Sequence, residues 1–439
     1  MVEVDADNGA GREMYEFVRQ LYPICRSITG DGLRETLAAI SRSIAPLRLE
    51  VHEVASGTPV LDWTVPKEWN IRDAWVADST GKRVIDFQVS NLHVVNYSVP
   101  FRGRLKLIDL RAHLHTLPDR PDWIPYRTSY YDETWGFCLS QRQLDAMPDG
   151  EYDVCVDSSL APGSLSYGEL VLPGSTDEEI LISSHVCHPS LCDDNLSGVA
   201  VSVALARSLS RESPARRRHT MRFLYAPGTI GAITWLARNR ERVNRIRHGL
   251  TLTCLGDSHP FTYKRTVLGR ADIDRVVAHV LRHSSLSHAV IDFFPYGYDE
   301  RQYGSPGFRA PVGSLMRGRH GTFPEYHTSA DNLDFIAPDR MVESLKVLQS
   351  VVQVLEGNSA FRNLAPYGEP QLGRRGLYDA VGGKTNIPGL QLAMLWVLNL
   401  SDGKHTLLDI AERAEIDFRV IRKAADLLEE YALLSRATA

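Results

Sequence analysis

Short apolar runs alternate with amphipathic stretches between residues 179 and 283, and this alternation restricts the fold more than any other feature of the chain. Glu179-Ile180-Leu181-Ile182-Ser183-Ser184 reads as a strand buried on both faces. A helix is predicted over 197–208, a strand over 221–226 and a helix over 230–242. A strand over 250–255 and a helix over 273–283 follow. Strands separated by helices of about 10–15 residues pair in parallel, because the helix supplies the crossover that a parallel neighbour needs. The expected fold class is therefore α/β, a mainly parallel sheet with helices on both faces, closed by a helix over 338–355.

The flanking regions follow other rules. Met14, Phe17, Val18 and Leu21, then Leu33, Leu37 and Ile40, carry helical spacing, interrupted at Pro23 and at Ser27–Gly32. From Val51 to Tyr167 short β-type runs such as Val84-Ile85-Asp86-Phe87 are separated by turn residues, and five of the seven tryptophans fall there. The Gly- and Pro-rich stretch from Asn363 to Gly389 reads as a linker, and helices are predicted over 390–400, 407–414 and 417–434. The expected domains are residues 1–50 (helices of the α/β domain), 51–167 (an inserted all-β domain), 168–362 (the α/β domain proper) and 363–439 (linker and helical domain).

Composition excludes several classes. A net charge of −5 over 439 residues argues against a general nucleic-acid binder, which needs a basic surface. The longest apolar stretch, Leu390–Leu400, is too short to span a bilayer. Six cysteines without a CxxC pair are no disulfide framework, and the first residues form no apolar leader, so a reduced, cytoplasmic protein is expected. The last two helices have helix-turn-helix spacing, yet Ser401–Ala439 sets six Lys or Arg against eight Asp or Glu. That balance repels phosphate, so packing or homo-oligomer contact is expected rather than DNA regulation.

Ligands of open α/β sheets bind beyond the carboxyl ends of the strands. The first predicted strand is followed by His185-Val186-Cys187-His188 and then Asp193-Asp194-Asn195-Leu196-Ser197-Gly198. The second is followed by Pro227-Gly228-Thr229-Ile230-Gly231, and the third by Gly256-Asp257-Ser258. Glu325-Tyr326-His327-Thr328-Ser329-Ala330-Asp331 precedes the closing helix. A lone histidine is most often structural, but imidazoles and carboxylates at several strand ends together are the donor mixture of an open zinc site. Ser197 is placed to cap the following helix, and Gly198 to let it pack closely.

The order His, Asp-Asn-x-Ser-Gly, Asp, His resembles the zinc aminopeptidase fold. More specifically, the chain is similar to a bacterial aminopeptidase-like family of unknown function, with an inserted β domain and a C-terminal winged helix. Trp69-Asn70-Ile71-Arg72-Asp73, Ile124-Pro125-Tyr126, Ser129-Tyr130-Tyr131, Trp135-Gly136-Phe137-Cys138, His185 to Gly198, Asp299-Glu300-Arg301-Gln302-Tyr303 and Tyr326 to Asn332 carry the likeness, which spans about 14–435. The resemblance implies one or two zinc ions, with Asp194 as bridging carboxylate and His185, Asp257 and His327 as further ligands. His188 competes with His185 for its place. It also implies that Cys187 stands where an aspartate usually orients the histidine.

One departure bears on activity. The resemblance implies a glutamate after the second strand, as proton acceptor and metal ligand, where this chain has Gly228. Loss of a general base costs about 10²–10⁴-fold in rate. Three readings follow. Glu325, Glu300 or Asp193 replaces it; one metal performs different chemistry; or the protein binds a small ligand without hydrolysing it. The leading expectation is a metal-dependent hydrolase of an aminoacyl or peptide-like amide in a small molecule. Arg301 would clamp a substrate carboxylate, or else fix its own loop through a salt bridge. Tyr326, Tyr131 and Tyr130 would line the substrate, against the plainer role of packing aromatics.

Overall fold

The computed structural model describes residues 2–377 and 389–437. Two compact units are present: residues 1–271 with 287–346, and residues 272–286 with 347–439.

The first unit begins with helices α1 (Val2–Leu21) and α2 (Asp31–Ser43), and α2 buries Leu33, Thr36, Leu37, Ala39 and Ile40 along one face. Strands follow in chain order, two-residue pairings aside. These are β1 (Glu50–Ala55), β2 (Glu68–Ala77), β3 (Arg83–Asp86), β4 (Phe101–Lys106), β5 (Glu151–Ala161) and β6 (Ser164–Leu172). The α/β part then runs β7 (Glu179–His185), α3 (Gly198–Ser210), β8 (Thr220–Ala226), α4 (Ile230–Arg238), β9 (Ile246–Leu252), β10 (Phe261–Lys264), β11 (His288–Ile291) and β12 (Val312–Met316). Eight strands form one sheet in the order β1-β6-β8-β7-β9-β12-β10-β11. Its centre, β8-β7-β9-β12, is parallel as expected, with Ile182 opposite Phe223 on one side and Leu250 on the other. All seven residues of β7 are buried, which explains why Ile180, Leu181 and Ile182 stand in succession without alternation.

Two strands of the expected β region belong to this sheet. β1 pairs antiparallel with β6, and β6 antiparallel with β8. The residues between carry a separate antiparallel sheet, β3-β2-β5-β4, over a core that includes Ala74, Val76, Ile85, Phe137, Val154 and Val156. Strands β10, β11 and β12 were not visible in the sequence pattern, and the predicted helix over 230–242 breaks at Asn239.

In the second unit, α5 (Asp272–His283) and the end of α6 (Pro338–Gly357) accompany β13 (Ala360–Asn363), α7 (Gly389–Leu400), β14 (Asp402–Thr406), α8 (Leu407–Ala414), α9 (Phe418–Glu430) and β15 (Leu434–Arg436). β13 lies between β14 and β15, so this unit closes on a small sheet. The predicted helix over 417–434 therefore ends at Glu430, and its last residues turn into β15. The expected linker opens on the last residue of β13, and its residues 378–388 lie outside the described residues. Arg275 on α5 pairs with Asp409 at 2.5 Å and Glu412 at 2.6 Å on α8, and Phe418 N–H donates to His279 Nε2 at 3.0 Å. Among the described residues no helix is long and apolar enough to cross a membrane.

Candidate metal centre

Strand β7 ends on His185, and the chain reaches α3 through a turn at Cys192–Ser197. One carboxylate shapes that turn. Asp331 accepts the backbone N–H groups of Cys192 (3.1 Å), Asp193 (2.6 Å) and Asp194 (3.0 Å). Burial lifts Asp331 to about 7 against the pull of these donors. Ser197 does not cap α3. Its hydroxyl donates to Asp193 O at 2.8 Å and accepts Leu255 N–H at 2.9 Å, tying the turn to the segment after β9. Gly198 is needed for close approach, since a Cβ there would lie 2.9 Å from Leu252 O.

The turn delivers Asp194 into a nest of imidazoles. His185 Nε2 lies 2.9 Å from Asp194 Oδ1, and His327 Nε2 lies 3.0 Å from Oδ2. His188 Nδ1 is 4.0 Å from Oδ1 and has no hydrogen-bond partner, although it is buried. The sequence left His185 and His188 as rivals, and the structure brings both to the same carboxylate. Asp194 is fully buried, which would raise its pKa, but the three imidazoles hold it well below the usual carboxylate range. Burial pushes His188 well below its ordinary value, so it stays neutral with a lone pair available.

This donor set fits a metal ion. His185, His188 and Asp194 offer ligand atoms within 4.8 Å of one another, all buried, and an orphaned imidazole nitrogen is a ligand without its acceptor. Asn195, rather than Cys187, lies at the Nδ1 edge of His185, its Nδ2 standing 3.2 Å away while also donating to Leu252 O at 2.9 Å. A second donor group shares Asp194 with Cys254 and His320. His320, whose Nε2 is 3.4 Å from Thr253 Oγ1, is lowered to about 4 by burial. Sequence reasoning missed it, because no strand was predicted before it. It follows β12 by four residues, where the strand-end rule would have found it.

The other predicted residues stand outside both donor groups. Asp257 belongs to neither donor group: its carboxylate accepts His259 N–H at 2.6 Å and Gly318 N–H at 3.0 Å, so it caps two loops. The chain leaves β9 at Leu252 and turns at Cys254, where φ is 48°, before it reaches Asp257. Asp193 is engaged through one oxygen, its Oδ1 accepting Gly256 N–H at 2.8 Å and Ser197 O–H at 3.1 Å, while its Oδ2 is buried without a hydrogen-bond partner. Glu300 is a buried ion-pair partner of Lys264, and Arg301 is exposed and donates to Pro295 O at 3.3 Å. Both therefore hold the 294–301 loop. Glu325 is half-buried and carries no ion pair among the described residues. Tyr326 stacks on His327 with ring centres 4.0 Å apart. Tyr131 is 50% exposed and packs on Trp63, while Tyr130 O–H shares a 3.2 Å hydrogen bond with Tyr126 O–H.

The region between β4 and β5 roofs the cluster. Tyr126 N–H donates to His327 O at 2.8 Å, and the Tyr126 ring stands edge-on to His188 at 5.2 Å and His327 at 5.1 Å. Both imidazoles are thereby held in place from above.

Asp299 beside this site supplies a pH test. It accepts Thr229 N–H at 2.7 Å, and burial raises it from 3.8 to about 7. Its raised folded-state pKa contributes stability below about pH 4 that is lost as pH rises toward 7, at up to about 1.4 kcal/mol per pH unit. Asp299→Asn keeps the accepting oxygen and cannot ionise. Its unfolding free energy should therefore gain on the parent between pH 4 and 7, as read by urea melts, and a constant difference would refute the assignment.

The model of a domain of unknown function, DUF4910, matches residues 15–358, more than half of the chain. The chain belongs to the DUF4910 family. A winged helix-turn-helix model matches residues 359–436 of this DUF4910 protein. A candidate polysaccharide biosynthesis protein with an aminopeptidase-like domain, from Clostridium acetobutylicum, is 50% identical over 424 residues, covering 97% of this chain and 96% of its own. The crystal structure of a candidate peptidase from Clostridium acetobutylicum superposes with a TM-score of 0.92 at 48% identity, over 99% of this chain and 98% of its own. A zinc aminopeptidase from Bacillus subtilis shares the fold alone, with a TM-score of 0.57 at 11% identity over 79% of this chain and 95% of its own. The fold is thus the aminopeptidase-like α/β fold joined to a C-terminal winged helix.

Proposed function

We propose that this DUF4910 protein is a metal-dependent hydrolase of an amide bond in a small polar molecule, with His185, His188, Asp194 and His327 holding one zinc ion. The convergence of three imidazoles on one buried carboxylate supports this reading. Bound there, zinc would polarise the amide carbonyl and acidify a water molecule. Asp331 fixes the backbone of Asp194, Asn195 borders the Nδ1 edge of His185, and Tyr126 holds His188 and His327. Glu325, two residues before His327 and unpaired, is assigned as proton acceptor in place of the carboxylate that Gly228 cannot supply. Tyr326, stacked on His327, is the tyrosine assigned to line the substrate. The name of the Clostridium acetobutylicum relative directs the first substrate screen to N-acylated amino sugars, followed by aminoacyl amides.

The absence of a side chain at Gly228 favours a second reading, a protein that binds a metal or small metabolite without hydrolysis. The winged helix fits packing or self-association better than DNA, since Arg419 is paired with Asp417 at 2.6 Å and Arg422 with Asp426 at 2.6 Å. Duplex DNA at physiological salt should leave it unbound.

Metal content decides first. Protein purified without chelator or histidine tag should carry about one zinc per chain by elemental analysis, and His327→Ala should lose most of it. About two would call for ligands beyond this cluster. None after incubation with zinc would overturn the hydrolase reading and leave the ligand-binding one.

A further inference from the structure

Tyr298 is the residue at the centre that neither motif nor family likeness singles out. Its ring lies on the His185 imidazole, with centres 3.8 Å apart and planes 28° apart, and its hydroxyl stands 3.7 Å from Cys187 Sγ. Cys187 Sγ in turn accepts Gly228 N–H at 3.3 Å. A Cβ built on Gly228 would lie 1.8 Å from the Tyr298 hydroxyl oxygen and 2.3 Å from Cζ, distances no packed atoms reach. Any side chain at 228 and the ring at 298 therefore exclude each other.

The loop that carries Tyr298 is built around one buried ammonium. Lys264 Nζ, at the end of β10, donates to Phe294 O at 3.1 Å and Tyr296 O at 2.9 Å and pairs with the Glu300 carboxylate. Glu300 then accepts Tyr298 N–H at 3.1 Å. Gly297 permits this, because a Cβ there would meet Lys264 Nζ at 2.2 Å. Lys264, Gly297 and Glu300 thus press the Tyr298 ring onto His185, and Gly228 leaves the room for it.

We propose that Tyr298 is the positioning residue for His185 and that Gly228 and Tyr298 form one lock, in which the missing side chain of the first admits the ring of the second. This rests on His185 being a metal ligand, and it deepens that reading. An imidazole with a fixed ring on its face and the Asn195 amide at its Nδ1 edge is held in one orientation, which groups outside the ligand set commonly secure. The lock also explains why a carboxylate cannot simply be restored at 228: Gly228→Glu alone would have to expel Tyr298.

Four full-length proteins test this: the parent, Gly228→Ala, Tyr298→Ala and the double variant, with Tyr298→Phe as the conservative control. Zinc affinity is read by competition with a chromogenic chelator, and the Co²⁺ absorption spectrum reports ligand geometry. Tyr298→Ala should weaken zinc binding about 10–100-fold and shift the Co²⁺ bands, while Tyr298→Phe, which keeps the ring, should restore both. In urea melts the two alanine changes should cost less together than the sum of their separate costs, because Tyr298→Ala removes the ring that an alanine at 228 would otherwise strike. Parent-like affinity and spectrum in Tyr298→Ala, or additive stability losses, would overturn the proposal. Should no protein of the set bind zinc, the metal reading falls, and additivity or its failure alone decides whether 228 and 298 are locked.

Discussion

Asp194→Asn should abolish zinc binding and lower any zinc-dependent hydrolysis by about 10³-fold, since a bound metal supplies several kcal/mol of transition-state stabilisation and each 1.4 kcal/mol is about tenfold. The reason lies in where the carboxylate sits. Each of its oxygens faces an imidazole nitrogen at 2.9 or 3.0 Å, and it belongs to both donor groups of the site. The neighbouring carboxylates have partners of their own, Asp193 Oδ1 and Asp257 in backbone N–H groups and Glu300 in Lys264. The metal-free fold should survive, as the amide keeps the shape and removes a buried charge. Zinc that binds the folded state alone raises the melting temperature by mass action, so the parent should gain stability on zinc addition and Asp194→Asn should gain none. Equal stabilisation of the two proteins would place the ion elsewhere.

How much of this was legible in the sequence depended on range. β7 and β8 announced themselves because a strand buried on both faces carries consecutive apolar residues, as in Ile180-Leu181-Ile182 and Phe223-Leu224-Tyr225, and α3 and α4 because a helix over a sheet repeats at its own period. β12 was hidden by the glycines and prolines just before it, and with it went His320. β1 and β6 looked like part of the inserted β region because alternation is local, whereas pairing of residues 50–55 with 164–169 is a contact across more than a hundred residues. At the site, His185, His188, Asp194 and His327 could be found because each follows a strand or precedes a helix. Asp257 meets the same description, and only its hydrogen bonds with His259 and Gly318 N–H show that its carboxylate faces a loop. Tyr298 could not be found at all, since its place is set by Lys264, a residue 34 positions earlier on another strand.

The largest stability effect should come from a residue remote from the donor groups. Arg222, on β8, donates Nε to Glu179 Oε2 at 2.7 Å and Nη2 to Glu179 Oε1 at 2.9 Å on β7, and Nη1 to Glu169 Oε1 at 2.8 Å on β6. Its side chain is 3% exposed, and those of Glu179 and Glu169 are 3% and 9% exposed. Arg222→Met leaves two buried carboxylates without their shared cation, a change that costs about 3–5 kcal/mol. The two are not equally stranded. Glu169 still accepts Trp235 Nε1–H at 2.7 Å and faces His52 Nε2 at 2.9 Å, whereas Glu179 keeps, among the described residues, only the Arg242 ion pair at 3.7 Å. Adding Glu179→Met to Arg222→Met should therefore recover more than half of the loss, and adding Glu169→Met less. Urea midpoints at constant slope measure both. A single-variant loss below about 1 kcal/mol would mean that water reaches the carboxylates and that the triad is no part of what holds β6, β8 and β7 together.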